Sequence, residues 1–565
     1  MIKLKNISGS SVSLKLLIPI AGIFFALSFP PIDLNYLIFF SFAIIIHIFF
    51  RTENFRSAFI RSYLIFFTAC IISVSWIMLS GMRENADRFL IIGGIFILLV
   101  YPLFFVMPLI VFYKIKSKFI FRFGSILNLI LFPVVWTGFE YISTLGQINF
   151  PWLFAGNTLT YNPAKIQYAE ITGIFGVSFW ICCISVLIYV LYSNIFEKIN
   201  PPASLKNISV FVCLILLYFF PDFYNSNLSD LKKITDSSHG KIKIGIIQPN
   251  INPWLKWGGK QNDLVHGYAA QIRELHNSTP DLELIILPET ALPYFFREKY
   301  FEDKYLMLKN LCDSIRIPIL IGTPDLEYYE NSDEAPVDAK IMRSTGMKYD
   351  TYNTAVLFEP ETDKNNFQKH QKIKLVIGSE RMPYQELIPF TKSLIEWGVG
   401  LGSWQIGKDT NNFSLKNNVT FNTAVCYESV YPEFFADFVK KGTDFCVIIT
   451  NDGWWGKYFG TYQHNQFAVY RAIENRRWIA RCANTGISDF ISPHGEIFQQ
   501  TGIDEKTSIV REIDLIKETT FYTRHGDALA EYCLYISLLI FGICFFLKKK
   551  KINPIDFFCQ KVCRN

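Results

Sequence analysis

The chain contains no CxxC pair and no cluster of Cys and His at metal-ligand spacing, so a zinc site is not expected. It also lacks a basic stripe. The net charge of +6 lies largely beside apolar runs, which reads as topology information and points away from nucleic acid. No small-residue cleavage site follows the first apolar run, which holds Pro19 and ends at FPPIDLN, so that run is not a cleaved signal peptide. None of the eight His forms a pairing pattern with a cysteine. What the sequence has in quantity is apolar surface. Half of the 565 residues are hydrophobic and 53 are Phe, a composition rare in a soluble protein of this size.

The apolar residues crowd into 14–220 and 530–547, with ordinary globular composition between. That is the layout of a membrane protein carrying a soluble domain. A bilayer core needs roughly 20 helical residues. Seven runs of about that length lie near 14–31, 34–50, 58–79, 89–113, 125–143, 171–192 and 207–220, and an eighth near 530–547. Charge sets the expected orientation. Lys3, Lys5 and Lys15, then Arg51, Arg56 and Arg61, then Lys114, Lys116, Lys118 and Arg122, then Lys198 and Lys206, and finally Lys548–Lys551 all fall on one side. The alternate loops hold only Arg83, Arg88 and Lys165. Excess positive charge marks the cytoplasmic face, so both termini are expected there and the soluble domain on the far side. In a bacterium with two membranes that means the inner membrane and the periplasm. The expected plan is a membrane domain over 1–220, a polar linker over 221–240, a periplasmic domain over 241–529, a last helix over 530–547 and a basic cytoplasmic tail over 548–565.

The soluble domain alternates strands and helices. KIKIGIIQ reads as a buried strand and LELIILPE, nearly continuous in apolar residues, as one covered on both faces. NDLVHGYAAQIRELHN and KYLMLKNLCDSIR read as helices, IPILIGTP as a strand. TAVCYE then PEFFADFVKKG, and DFCVIITND then QHNQFAVYRAIENRRW, repeat the pattern before the strands WIARCANTG and ISDFISPHGEIF. This is an α/β layered domain. The acidic, turn-rich stretch 326–350 breaks the alternation and reads as an exposed spacer loop. The domain has four cysteines, Cys312, Cys426, Cys446 and Cys482, in a compartment that permits disulfides.

Three strand ends carry ionisable residues. Cys426 ends a strand just before Pro432 opens a helix, a turn that can aim a sulfur outward and set backbone N–H groups near an oxyanion. A cysteine attacks as the thiolate and needs help losing its proton. Glu289 follows the strand IILPE, where a carboxylate has no core to fill. Lys369, Lys372, Lys374 and Glu380 lie in FQKHQKIKLVIGSERMPY. Together they offer a base, a cation and a thiol at strand ends, where ligands gather in open α/β sheets.

The order Glu, Lys, Cys within LPET, KIKLVIGSERMP and AVCYES resembles the nitrilase, or carbon–nitrogen hydrolase, superfamily, whose fold is an αββα sandwich. IGIIQPNINPWLKW, YNTAVLF, VCYESVYPE, TNDGWWGKYFGTYQHNQFAVYRAIENRRWIARCANTGIS, FPWLFAGNTL and QYAEITGIFGVSF resemble, more narrowly, the bacterial apolipoprotein N-acyltransferases. The likeness extends over essentially the whole chain. It implies that Glu289 is the general base, Cys426 the nucleophile and Lys372 the oxyanion cation, with the Tyr427 N–H as its partner. It implies that Glu380, Tyr427 and Glu428 support the site and that Trp257 and Trp152 meet substrate. Trp152 would stand near the lipid entrance, or simply anchor at the interface.

The activity so implied moves an acyl chain from the sn-1 ester of a phospholipid, phosphatidylethanolamine, through a Cys426 thioester. The acceptor is the α-amine of a diacylglyceryl-cysteine on an apolipoprotein. No metal or nucleotide cofactor is implied, and a monomer is expected. A membrane-tethered amidase using the same three residues on a soluble amide is the alternative. The sequence departs from the family in two places. LVIGSE stands where LVPFGE is common, and Ser143 stands where an Arg often accompanies the intramembrane Glu140.

Overall fold

The computed structural model describes residues 11–196, 204–226, 238–257, 264–363, 366–388 and 403–546. Each of the eight expected apolar runs falls on a helix. Among the described residues, four are long and apolar enough to cross a membrane: Phe55–Ser80, Phe89–Lys116, Ala169–Phe196 and Leu205–Ser226. Four are shorter: Leu14–Leu27, Leu37–Phe50, Leu129–Ile142 and Ala528–Cys544. Helix Leu129–Ile142 folds back along Phe89–Lys116. The rings of Phe105 and Trp136 are 6.1 Å apart, and those of Phe112 and Phe132 5.3 Å. A straight helix would separate the first pair by roughly 46 Å. The last helix packs closely on the same hairpin, since a Cβ at Gly138 would stand 2.7 Å from the Leu534 nitrogen. Glu140 is buried and accepts from the Trp136 indole and the Ala155 amide, both at 2.8 Å. Ser143 is bonded to the Glu140 carbonyl.

The polar linker expected from residue 221 begins later. Helix Leu205–Ser226 continues through Pro221 to Ser226. Its end is tied down from the side: Asp222 pairs with Lys165, and the Tyr224 hydroxyl donates to Glu170 at 2.6 Å. Residues 227–237 and the tail after 546 lie outside the described residues.

The soluble half is a two-sheet sandwich. One sheet has the order β13 (Thr507–Asp514), β1 (Lys241–Gln248), β2 (Leu284–Ile286), β3 (Ile319–Tyr328), β5 (Lys348–Phe358), β4 (Lys340–Ile341), with β6 (Gln368–Gln371) also on β5. The other runs β12 (Ile497–Phe498), β11 (Asp489–Ile491), β10 (Ile479–Ala483), β9 (Phe445–Thr450), β8 (Thr420–Val425), β7 (Asn412–Ser414). Their inner faces share one core: Ile244, Ile246, Leu284 and Ile286 meet Val425, Val447, Ile449 and Ala480. The period-two alternation turns the neighbouring residues outward. Ile247, Ile285 and Ile319 pack under helices Leu264–Ser278 and Glu302–Ile315, while Ala424, Cys446 and Ile448 pack under Pro432–Lys440 and Phe459–Asn475. This is the αββα order.

The stretch 326–350 is not all loop. β3 runs on to Tyr328 and stays in register with β5 from Ile319↔Phe358 to Tyr328↔Tyr349, and β4 adds a rung. The polar composition hid the strands because an extended hairpin arm exposes most of its side chains.

The two halves are locked together by buried polar contacts. Arg476 ends helix Phe459–Asn475 in the left-handed region and is fully buried. It reaches Glu170 at 2.7 Å and the Gln167 side chain at 2.6 Å. Helix Ala169–Phe196 breaks at Gly173 (φ 62°), where a Cβ would lie 2.4 Å from the Tyr522 ring. The break frees the Ile174 amide, which donates to Glu474 at 2.9 Å.

Candidate active site

Each expected chemical group sits where a strand stops. Thr290, just after Glu289, has φ 45°, and Cys426 has φ 52°. Left-handed backbone at a non-glycine residue costs about 1–2 kcal/mol, so both turns are held by their surroundings. The Glu289 turn lies directly on Gly322. A Cβ there would come within 2.6 Å of the Glu289 Cα and 2.5 Å of the Thr290 amide, so position 322 must be glycine. Lys256 Nζ holds the far side by donating to the Thr290 carbonyl at 2.6 Å. Burial lowers the Lys256 pKa to about 7, with Glu289 opposing.

The Cys426 turn is held by Glu428. This buried carboxylate accepts from the Val425 amide at 2.8 Å and the Ile373 amide at 2.7 Å, and lies 3.0 Å from His370. It therefore joins the cysteine turn to the lysine segment. Burial works against its charge, but His370 and the amides hold it below the usual carboxylate range.

A pocket opens above these turns. It is lined by Glu289, Lys372, Glu380 and Cys426, with Asn353 between the carboxylates and an aromatic wall of Trp254, Trp404, Trp454 and Trp455. Leu90 comes to it from the helical half. Lys372 Nζ is 3.0 Å from Glu289 Oε1 and 2.9 Å from Glu380 Oε1. Asn353 Nδ2 donates to the same two oxygens, at 2.7 and 3.1 Å. Glu380 also accepts from the Val376 amide at 2.7 Å, so IGSE keeps this glutamate on the lysine. Burial disfavours the Lys372 charge, yet the two carboxylates outweigh it and keep the ammonium protonated well above its ordinary range. Burial and the Glu289 charge raise Glu380, against the pull of Lys372. The Cys426 thiol is pushed well up by burial and by Glu289, with Lys372 opposing. The resting sulfur is thus a thiol, and attack needs a base beside it.

No histidine stood out in the sequence, but the structure brings His464 under the cysteine turn. A His464 nitrogen, an Asp452 oxygen and Cys426 Sγ lie within 4.8 Å of one another. His464 Nδ1 is 2.8 Å from Asp452, and Nε2 is 3.2 Å from the Cys426 carbonyl and 3.1 Å from Ser429 Oγ. Asp452 also accepts from Thr450 and Arg481, both at 2.8 Å. Both histidine nitrogens and both carboxylate oxygens are engaged, so His464 and Asp452 read as a scaffold beneath the turn. The described cysteines of the soluble half are all free, Cys426 included.

Against known families, residues 243–520 match the model for carbon-nitrogen hydrolases. Residues 21–187 match the apolipoprotein N-acyltransferase N-terminal domain. The apolipoprotein N-acyltransferase of Chlorobaculum tepidum is 31% identical over 495 residues, covering 86% of this chain and 87% of that protein. This chain belongs to the apolipoprotein N-acyltransferase family. The Geobacter metallireducens apolipoprotein N-acyltransferase is 26% identical over 536 residues, 94% of this chain and 95% of its own. A solved Saccharomyces cerevisiae member of branch 10 of the nitrilase superfamily covers 49% of this chain and 91% of its own, at 19% identity and TM-score 0.35.

Within this apolipoprotein N-acyltransferase fold, the remaining expected residues fall elsewhere. Trp152 is buried and does not line the pocket. Its indole donates to Gln463 at 2.6 Å, and its ring stacks on Phe150 and, at 6.4 Å, on Tyr427. Residues from both halves cover it, and its ring lies 5.8 Å from that of Trp455 on the pocket wall. The Tyr427 side chain turns the same way, toward Asn149. Trp257 closes the short helix Pro253–Trp257, and its side chain lies outside those described; Trp254 of that helix is the tryptophan on the pocket wall. Sequence reasoning missed Asn353, Trp254, Trp404, the Trp454–Trp455 pair and Leu90. The quoted motifs YNTAV, PWLKW and DGWWG held most of the signal.

Proposed function

We propose that this membrane protein transfers an acyl chain from a phospholipid to the N-terminal α-amine of a diacylglyceryl apolipoprotein, through a thioester on Cys426. The carrying observation is that Glu289, Lys372 and Cys426 share one pocket with Leu90, a residue of the apolar helical half. A soluble-amide hydrolase has no use for that wall, and family membership points the same way.

In the first half-reaction Glu289 takes the thiol proton as the sulfur attacks the ester carbonyl of the donor. The Lys372 ammonium, with the Tyr427 N–H, stabilises the oxyanion. Collapse breaks the ester bond, and the departing alkoxide takes the proton from Glu289 and leaves as lysophospholipid. In the second, the neutral α-amine attacks the thioester carbonyl, Glu289 accepts a proton from nitrogen, and collapse gives the amide. The sulfur leaves and recovers that proton. Glu380 keeps Lys372 in place, and Glu428 keeps the cysteine turn on the lysine segment.

In the same reading the chain crosses a bacterial inner membrane eight times as a monomer. Residues 241–529 are periplasmic, both termini are cytoplasmic, and phosphatidylethanolamine is the donor, cleaved at sn-1. Both substrates are lipid-anchored, so a site at the interface replaces a three-dimensional search by lateral diffusion.

The test uses the purified chain in detergent with phosphatidylethanolamine bearing a tagged sn-1 chain and no acceptor. A hydroxylamine-labile tag on the Cys426 peptide, absent in Cys426→Ala and released by a diacylglyceryl-peptide, is the expected result. A folded protein that takes no tag from any of a range of phospholipids would sink the proposal.

A further inference from the structure

The lining of the pocket is of two kinds. Glu289, Lys372, Glu380 and Cys426 carry the chemistry, while Leu90, Val376, Trp404, Trp454 and Trp455 supply apolar surface. Apolar surface suits the acyl chain of a donor. Trp454 and Trp455 belong to the loop 451–458 between β9 and helix Phe459–Asn475. The soluble half holds this loop at its ends. Arg481 donates to Asp452 at 2.8 Å, and the Thr461 hydroxyl donates to the Gly456 carbonyl at 2.6 Å. Between those ends the loop is held from the helical half. The Gly453 carbonyl accepts from Arg83 Nη1 at 2.6 Å.

The same half-buried guanidinium lies across Gly456, where a Cβ would stand 2.5 Å from Arg83 Cζ. Arg83 thus spans the stretch that carries both indoles. Its own turn, 81–88, is packed on the helix that reaches the pocket: a Cβ at Gly81 would come 2.9 Å from Leu90 Cβ. Just before that turn, the Trp76 ring lies 4.9 Å from the Trp455 ring. A charged, planar donor makes a stronger hydrogen bond than a neutral one and fixes its partner's direction. We propose that Arg83 is a positioning residue for the acyl donor. It ties the Trp454–Trp455 loop to the turn that delivers Leu90, and so fixes the apolar wall along which a long acyl chain lies while its ester meets Cys426. A short acyl group makes little contact with that wall, so Arg83 acts on recognition of the chain and not on the reacting atoms.

This deepens the reading above and rests on its Cys426 thioester. The experiment loads the purified full chain in detergent from p-nitrophenyl palmitate, from p-nitrophenyl acetate and from tagged phosphatidylethanolamine, with Cys426→Ala as background. The readout is the ratio of kcat/KM for palmitate to that for acetate, because a merely structural defect lowers both. In Arg83→Met the ratio should fall about tenfold, the worth of one hydrogen bond to a charged group, with the loss in KM. Half-saturation by phosphatidylethanolamine should rise by a similar factor. Arg83→Lys and Arg83→Gln can still donate to the Gly453 carbonyl, and each should recover part of the ratio. An Arg83→Met enzyme with the wild-type ratio overturns the proposal, and so does an equal loss on both esters. Recovery of phosphatidylethanolamine use by Lys alone, with the ester ratio unmoved, would put the charge on the lipid phosphate and overturn it as well. If wild type loads from the esters but from no phospholipid, the donor reading falls and the ester ratio still decides this inference. If wild type loads from no donor, the thioester reading is overturned, and this inference falls with it.

Discussion

Two buried charge clusters flank Cys426, and they are built differently. On the pocket side Lys372 lies between Glu289 and Glu380, with Asn353 bridging the same oxygens. That cluster lines an open cavity. On the far side His464, Asp452, Arg481, Thr450 and Ser429 close around the Cys426 carbonyl. Asp452 has both oxygens occupied and its pKa is low, since Arg481 and His464 outweigh the cost of burial. The contrast teaches how to read buried charge. A cluster closed in by protein holds a shape, and a cluster that borders a cavity can do chemistry.

The largest effect should come from the open cluster. Glu289→Gln keeps the shape and removes the base. Thioester formation should fall about 10³-fold, with a melting temperature close to wild type. Equal losses of rate and stability would make the two clusters one kind of object. Asp452→Ala should do the reverse. It leaves Arg481 and His464 buried without their carboxylate, which costs about 3–5 kcal/mol, read as a lower melting temperature in detergent. An Asp452→Ala protein that melts like wild type would break the comparison from the other side.

The smallest effect concerns Lys256, beneath the Glu289 turn. Its folded pKa of about 7 lies below the unfolded value of about 10.4. Between them the unfolded chain binds a proton that the folded chain does not. The contribution of this group to stability therefore rises with pH from about 7 to about 10 and is lost as pH falls toward 7. Melting curves across that window should show the slope in wild type and a shallower one in Lys256→Met. Identical slopes would mean that Lys256 is as well solvated as a surface lysine.

Much of the pocket was legible because strand ends are conspicuous. Glu289 and Cys426 each stand where an apolar run stops, and a polar side chain there has no core to fill; Lys372 follows the polar strand QKHQ among other lysines, and only the family resemblance singled it out. The two-faced burial of β2 was readable because its run is nearly continuous in apolar residues. Asn353 was not, because a polar residue inside a strand reads like any side chain on a half-solvated face until the sheet's neighbours are known. His464 and Asp452 lie on different elements from Cys426, and no spacing rule joins them. The burial of Trp152 was not legible, because an aromatic beside apolar helices reads equally as a residue at a lipid entrance or as an interface anchor, and only the docking of the two halves covers it. The arm after Tyr328 misled through composition, since exposed strands carry the residues that loops carry.

Leu90 belongs to the first turn of the hairpin helix Phe89–Lys116 and also to the wall of the pocket. The pocket therefore takes part of its wall from the apolar half, and it is whole only where the two halves are docked. In the reading proposed above, a lipid-borne ester meets the sulfur at the end of that helix, so a change in how the halves dock reaches the reaction without touching Glu289, Lys372 or Cys426.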